Sequence, residues 1–245
     1  MGSRHGLARA LSKRGICSRS CAETWVREGR VAVDGRVVRD PEYPVDVAHA
    51  RISVDGEVAG GPAPRHLMLN KPRGLVTTTR DERGRDTVYR CFDGADLGWI
   101  APVGRLDRAS EGLLLFCNDP AWAAAITDPE RGPEKTYHVQ VDGHPTPALL
   151  AAMLAGIDCD GETLCAASVR PLREGGRNAW LEVVLHEGRN RQIRRLMAAC
   201  GLGVLRLVRG AIGPLVLGDL AKGAWRPLTA EELAMLVPPT PAAAA

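Results

Sequence analysis

Apolar and polar positions fall along this chain in short blocks, and each block predicts an element. Leu7, Ala10 and Leu11 share one helical face, and Gly15 ends that helix. Ala22, Trp25 and Val26 make the apolar stripe of a second helix, which Ser18 or Ser20 can cap. Ser20 with Glu23 has capping-box spacing, and Gly29 suits the position just past the helix end. Arg30–Val38 alternates about Asp34-Gly35, the signal of a tight hairpin, and Arg51–Val54 before Asp55-Gly56 predicts one more strand and turn. Ala59-Gly60-Gly61-Pro62-Ala63-Pro64 sustains neither helix nor strand and reads as a linker between domains.

Beyond the linker, a strand over His66–Leu69 leads into Asn70-Lys71-Pro72-Arg73-Gly74, read as a turn that presents two cations. Thr77–Asp86 is polar and charged, a mobile loop, and Val88–Phe92 is a helical turn. Two apolar runs, Trp99–Val103 and Leu113–Cys117, then bracket a segment holding Arg105, Asp107, Arg108 and Glu111. The second run is continuous, which suits a strand buried on both faces. Asn118-Asp119-Pro120 stops it and starts a helix, with Asp119 as the cap. The charged segment is therefore the mouth between two core strands, where a rigid sheet can hold a reactive group. If either flanking arginine is near, Asp107 stays ionised and positioned; the alternative is a solvated turn.

Lys135–Val141 alternates as a strand, Pro147–Ala155 is a short helix closed by Gly156, and Cys165–Leu172 and Ala179–His186 are further strands between turns. Many strands with few helices between them predict an α+β fold: a largely antiparallel mixed sheet flanked by helices. After Gly188 a helix runs to Cys200 with Ile193, Leu196, Met197 and Cys200 on one face. Arg191, Arg194 and Arg195 lie near its N-terminus. Cations there oppose the helix dipole unless an anion sits nearby, and a phosphate or a carboxylate would serve. Val204–Val208 and Gly210–Leu217 add apolar strands or turns, Thr229 with Glu232 opens a last helix, and residues from Pro238 onward are a disordered tail.

Composition changes this picture only in places. With 245 residues, 45% of them hydrophobic, the chain can build one large domain and a small one. The net charge of +3 is modest, but residues 1–40 hold nine Lys or Arg against four acids, a local basic footprint. The seven cysteines form no Cys-x-x-Cys pair and no zinc-ligand spacing, so no metal is expected. No stretch suits a signal peptide or a membrane span, which predicts a reduced, cytoplasmic protein.

Gly104-Arg105-Leu106-Asp107, with Ser110, Gly112-Leu113-Leu114-Leu115 and Asn118-Asp119, resembles the signature of ribosomal RNA pseudouridine synthases, most closely the RsuA family. The resemblance extends to Asn70-Lys71-Pro72-Arg73-Gly74, Lys135-Thr136-Tyr137 and Gly188–Arg195, and covers about residues 5–236. Gly15-Ile16-Cys17-Ser18-Arg19 and Gly29–Gly35 resemble an S4 RNA-binding domain, although Gly6-Leu7-Ala8-Arg9 departs from its usual Arg-Leu-Asp-Lys opening. The implied division is an S4-like domain over 3–61 and a synthase domain over 65–237.

The resemblance implies isomerisation of a uridine in ribosomal RNA. Asp107 would be the nucleophile, Tyr137 would pack on the target base, and Arg194 would pair with Asp107. Ile193 would line the pocket, and Lys71, Arg73, Arg105, Arg191 and Arg195 would contact substrate. Arg14, Arg19 and Arg30 would hold RNA in the N-terminal domain. No cofactor is required, and the expected partner of a monomeric protein is ribosomal RNA or an assembly intermediate. A non-catalytic ribosome-assembly factor would also use an S4 domain and basic surface, but would not need an aspartate between core strands. A hydrolytic nuclease would need a carboxylate cluster for metal.

Overall fold

The computed structural model describes residues 4–47, 49–79 and 81–236, so the tail expected from Pro238 lies outside the described residues. Residues through His66 group with 94–101 and 116–124 into one compact unit, and the rest form a second.

The first unit begins with β1 (Arg4–Gly6), α1 (Leu7–Lys13) and α2 (Arg19–Arg27). Then come β2 (Val31–Val33), β3 (Arg36–Val37), β4 (Pro44–Asp46), β5 (Ile52–Val54) and β6 (Glu57–Val58). Leu7, Ala10, Leu11, Ala22, Val26, Val31 and Ile52 are buried together as its core. An antiparallel sheet runs β3-β2-β5-β6, while β1 and β4 pair separately, a contact the sequence pattern did not reveal. Both predicted turns carry positive φ at their two central residues, 50° and 83° at Asp34-Gly35 and 51° and 87° at Asp55-Gly56, as a primed hairpin turn needs. Ser18, not Ser20, caps α2: its Oγ accepts from the Cys21 N–H at 3.2 Å. Ser20 already lies inside the helix, and Glu23 pairs instead with Arg19 and Arg27. At Gly15 a Cβ would sit 2.0 Å from the Asn118 carbonyl oxygen, so only glycine fits.

The rest of the chain is built on a nine-stranded sheet. Its strands are β7 (His66–Lys71), β8 (Ala101–Val103), β9 (Glu111–Cys117), β10 (Lys135–Asp142), β13 (Ser168–Glu174), β14 (Asn178–Leu185), β15 (Val204–Ile212), β16 (Leu215–Val216) and β17 (Trp225–Pro227). The order is β13-β14-β10-β15-β9-β7-β17, with β8 on β9 and β16 on β15. The strands β11 (Ile157–Cys159) and β12 (Glu162–Leu164) form a separate hairpin. The helices are α3 (Pro120–Thr127), α4 (Pro147–Ala155), α5 (Gln192–Ala199) and α6 (Ala230–Leu236), and Val88–Phe92 is a 3-10 turn. β15 runs antiparallel to β10 but parallel to β9, so the sheet is mixed and the fold is α+β.

Every residue of β9 is buried, and side chains such as Leu113, Leu114 and Leu115 contribute about 1.5–3 kcal/mol each by leaving water. Where β9 meets β15, Gly112 has φ +100°, and a Cβ there would fall 2.3 Å from the Arg209 carbonyl oxygen. That close approach sets the parallel pairing. Glu111, just before it, is buried and bound by Arg206 at 2.7 Å and Lys222 at 2.5 Å. Burial works against its charge, but those hydrogen bonds hold the carboxyl below its usual range.

Three boundaries differ from the sequence reading. α5 starts at Gln192 because Arg191 adopts φ +50° and Gln192 is buried, accepting from the Arg189 N–H and donating to the Cys165 carbonyl. β15 is one strand through Arg209-Gly210 rather than two. β13 begins at Ser168, three residues beyond its expected start, because 165–167 form an irregular connection after β12, where the Cys165 carbonyl accepts from Gln192 and the Ala166 N–H donates to the Met153 carbonyl. At the C-terminal helix, Thr229 and Glu232 exchange both capping-box bonds, at 2.8 and 3.2 Å, and Arg226 fixes the same carboxylate and draws its pKa down to about 2.

Candidate active site

Asp107 stands on the loop between β8 and β9, which is clamped from below. Lys71 is fully buried at the end of β7, and its ammonium donates to the carbonyls of Pro72 (3.0 Å), Asp107 (3.2 Å) and Ser110 (2.9 Å). Thr77 Oγ1 donates to the Leu106 carbonyl at 2.7 Å, and Arg108 Nε to that of Gly74 at 3.1 Å. The turn at 70–74 therefore presents one cation, Arg73, and not two. As a substrate contact Lys71 is corrected: its nitrogen is committed to holding the loop's backbone. Burial is the main reason its pKa falls to about 8, partly offset by Cys91, Asp107 and Glu111.

The arginines adjacent to Asp107 in sequence are not its partners. Arg108 is tied to Gly74, and Arg105 is exposed at the cavity rim. The Asp107 carboxylate instead meets the other charged stretch, with Arg191 Nη1 at 3.3 Å and Arg194 Nε at 3.7 Å from the same oxygen, Oδ2. Arg194 is the more buried, its side chain 15% exposed against 53% for Arg191, and it also donates to the Ala109 carbonyl. Burial and the neighbouring Arg191 lower its pKa, while Asp107 raises it. A carboxylate therefore sits beside the arginines at the start of α5, and it compensates the dipole conflict read from the sequence.

Arg195 points elsewhere. Its guanidinium binds Glu162 at 2.5 Å and the Cys159 carbonyl at 2.6 Å, fastening α5 to the β11–β12 hairpin. Its expected role as a substrate contact is corrected for that reason.

A cavity of about 590 Å³ opens beside Asp107, lined among others by Tyr137, Ile193, Arg194, Lys135 and Arg209. Tyr137 is largely buried on β10 and Ile193 on α5. Lys135 and Arg209 were not singled out from the sequence. The available signal was parity: Leu207, Arg209 and Ala211 alternate on the buried face of β15, so Arg209 is a charge at an inward position.

In the first unit, Arg14 is corrected as an RNA contact, because it donates to the carbonyls of Val47 and Ala50 at 2.6–3.0 Å. Arg19 pairs with Glu23 and Glu42 yet remains 56% exposed. Arg30 makes a bidentate bond with Asp55 and lies over the Trp25 ring at 5.2 Å. Among the described residues, no group of three or more His, Cys, Asp or Glu could hold a metal ion, and no helix is long and apolar enough to cross a membrane.

The family model for RNA pseudouridylate synthase matches residues 65–199, and that for the S4 domain matches 6–52. An uncharacterized RNA pseudouridine synthase of Rickettsia bellii is 37% identical over 223 residues, 91% of this chain and 96% of that protein. One from Mycobacterium tuberculosis is 38% identical over 235 residues, 94% of this chain and 92% of that protein. A crystal structure of a pseudouridylate synthase superposes with a TM-score of 0.67 at 31% identity, covering 95% of this chain and 100% of the other. Motifs, fold and relatives agree, and the chain belongs to the RNA pseudouridylate synthase family, isomerases of RNA uridine, with an S4 domain at its N-terminal end.

Proposed function

We propose that this enzyme converts a specific uridine of ribosomal RNA to pseudouridine, with Asp107 as the nucleophile. The observation that carries the reading is the placement of Asp107. It is part-exposed at the mouth of an open cavity, on a loop whose backbone is clamped, with two guanidiniums beside one carboxylate oxygen.

Uracil in folded RNA is stacked, so it must be flipped out to reach the cavity. Tyr137 and Ile193 then supply apolar surface for the base, and the Tyr137 phenol assists proton transfer from carbon 5. Arg194 pairs with the Asp107 carboxylate and positions it, its Nε 3.7 Å from Oδ2. The glycosidic bond breaks, the uracil turns in place, and carbon 5 joins the ribose. A positioned carboxylate serves whether it attacks the ribose or the base. Arg73, Arg105 and Arg191 are the exposed cations available for the flanking phosphates.

Residues 3–61 are assigned to holding RNA and 65–237 to the chemistry, in a monomer working in the cytoplasm without a cofactor. An assembly factor would share the S4 domain, but a clamped aspartate at a cavity has no purpose in it.

Asp107→Asn tests the assignment. The variant keeps the shape and loses the nucleophile, so purified protein is expected to bind ribosomal RNA as the parent does and to form no pseudouridine. Turnover near the parental rate would refute the role of Asp107.

A further inference from the structure

The cavity contains a group that the reading above leaves unused. Arg209 is 5% exposed in the middle of β15, and its Nε donates to the Leu113 carbonyl at 2.7 Å. Its Nη2 is buried and has no hydrogen-bond partner among the described residues. A guanidinium N–H removed from water without an acceptor is rare in native proteins and calls for one from outside the chain. Tyr137 and Arg209 face each other across β10 and β15, so phenol and guanidinium leave the same face of the sheet and line the same cavity.

Lys135, two residues before Tyr137, shares that face and that cavity. Among the described residues its ammonium makes a single, long hydrogen bond, 3.4 Å to the His186 carbonyl. Burial, and after it the charge of Arg209, lower its pKa; Asp128 opposes them less strongly. The other acids of the cavity are occupied. Asp107 lies against Arg191 and Arg194, and Glu187 is bound by Arg189 and Gln192. Two cations thus stand together with spare donor capacity beside the tyrosine assigned to the base.

We propose that Arg209, with Lys135 beside it, donates to a carbonyl oxygen of the target uracil and stabilises the negative charge the base acquires during the reaction. The inference rests on the pseudouridylation reading above. If the ribose route operates, the C–N bond breaks with its electron pair left on the uracil, while an Asp107 oxygen bonds the ribose carbon. If Asp107 adds to carbon 6 of the base, its oxygen forms the new bond and the ring π pair moves onto the carbonyl oxygen at carbon 4. Both routes load negative charge onto carbonyl oxygens. On the ribose route carbon 5 then displaces the Asp107 oxygen from the ribose carbon. On the base route the C–N bond breaks with its pair left on the base, carbon 5 bonds the ribose carbon and Asp107 leaves carbon 6. On both, carbon 5 gives up its proton, nitrogen 1 gains one, and Asp107 returns as the free carboxylate. Donors fixed in advance around such a carbonyl oxygen act most strongly where water is excluded.

The test is single-turnover pseudouridine formation on a ribosomal RNA fragment carrying uridine, 2-thiouridine or 4-thiouridine at the mapped target. Sulfur accepts hydrogen bonds poorly, so the parent is expected to slow about tenfold at one of the two positions. Arg209→Gln is expected to slow the uridine reaction about a hundredfold and to lose the distinction between uridine and that thio substrate. Its affinity for RNA should stay within about threefold of the parent's, since the interaction strengthens only as charge develops. Arg209→Lys keeps the charge and one donor and recovers part of the rate; Lys135→Gln gives a smaller loss. A parental rate for Arg209→Gln would overturn the proposal. So would equal slowing on all three substrates with a lowered melting temperature, which marks a purely structural arginine. A parent indifferent to both thio positions would overturn it as well. If the parent itself forms no pseudouridine in this RNA, the reading of the substrate has failed instead.

Discussion

In the first unit Arg14 donates to two backbone carbonyls, Arg19 to Glu23 and Glu42, and Arg30 to Asp55. Beside the cavity Arg191 and Arg194 share one oxygen of Asp107, Lys135 makes one long bond, and Arg209 leaves a nitrogen without a partner. Arginine stands in both places, and the number of acceptors within reach differs. Where acceptors match donors, arginine is scaffold and holds strands and turns together. Where donors outnumber acceptors, the surplus is capacity for an anionic or carbonyl-bearing ligand. A count of arginines along a chain, such as the nine basic residues among the first forty, does not separate the two cases.

The largest effect that sharpens this contrast is expected from Arg194→Gln. It removes the guanidinium that stands 3.7 Å from Asp107 Oδ2 and donates to the Ala109 carbonyl, so the carboxylate loses a group that positions it. Turnover at saturating RNA should drop about tenfold to a hundredfold, the loss expected when a group that positions the nucleophile is removed. Arg195→Gln should leave turnover near the parent's, because its partners are Glu162 and the Cys159 carbonyl. Equal turnover of the two variants at saturating RNA would mean that Arg194 is one more phosphate contact.

Lys71→Met comes next. Three carbonyls, that of Ser110 buried, lose their shared donor, and the variant is expected to be about 3 kcal/mol less stable in chemical denaturation. The parent should also show a pH signature the variant lacks. The Lys71 ammonium titrates near 8 when folded and near 10.5 when unfolded, so between those values the unfolded chain binds more protons. This group's contribution to stability therefore rises as pH rises from 8 to 10.5. Parallel stability curves for parent and variant across that range would place Lys71 outside the clamp.

The smallest effect belongs to Arg14→Gln. Losing its bonds to Val47 and Ala50 should lower the stability of the first unit by about 1–2 kcal/mol and leave turnover on saturating RNA unchanged. A slowed reaction would break the separation between scaffold and ligand-facing arginines.

The features legible in the sequence are those whose partners lie close along the chain. Thr229 and Glu232 are three residues apart, and the turns at Asp34-Gly35 and Asp55-Gly56 carry their backbone requirement in two adjacent residues. β9 was readable because burial on both faces leaves a continuous apolar run. The misread residues have distant partners. Lys71 is 39 residues from Ser110, and Arg209 is 96 from Leu113, separations that no local pattern encodes. Lys71 and Arg73 look alike in Asn70-Lys71-Pro72-Arg73-Gly74, yet one is fully buried and the other exposed. Position relative to the strand settles the matter, since β7 is buried continuously from Leu67 through Lys71, its last residue, while Arg73 lies beyond its end.

The most direct test of the central claim, that Asp107 drives pseudouridine formation in ribosomal RNA, is a pseudouridine map of both ribosomal RNAs from a strain lacking this gene. One or a few pseudouridines should revert to uridine, return when the parent gene is restored, and stay absent when the restored gene carries Asp107→Asn. Unchanged maps in the deletion strain, or full restoration by Asp107→Asn, would contradict it.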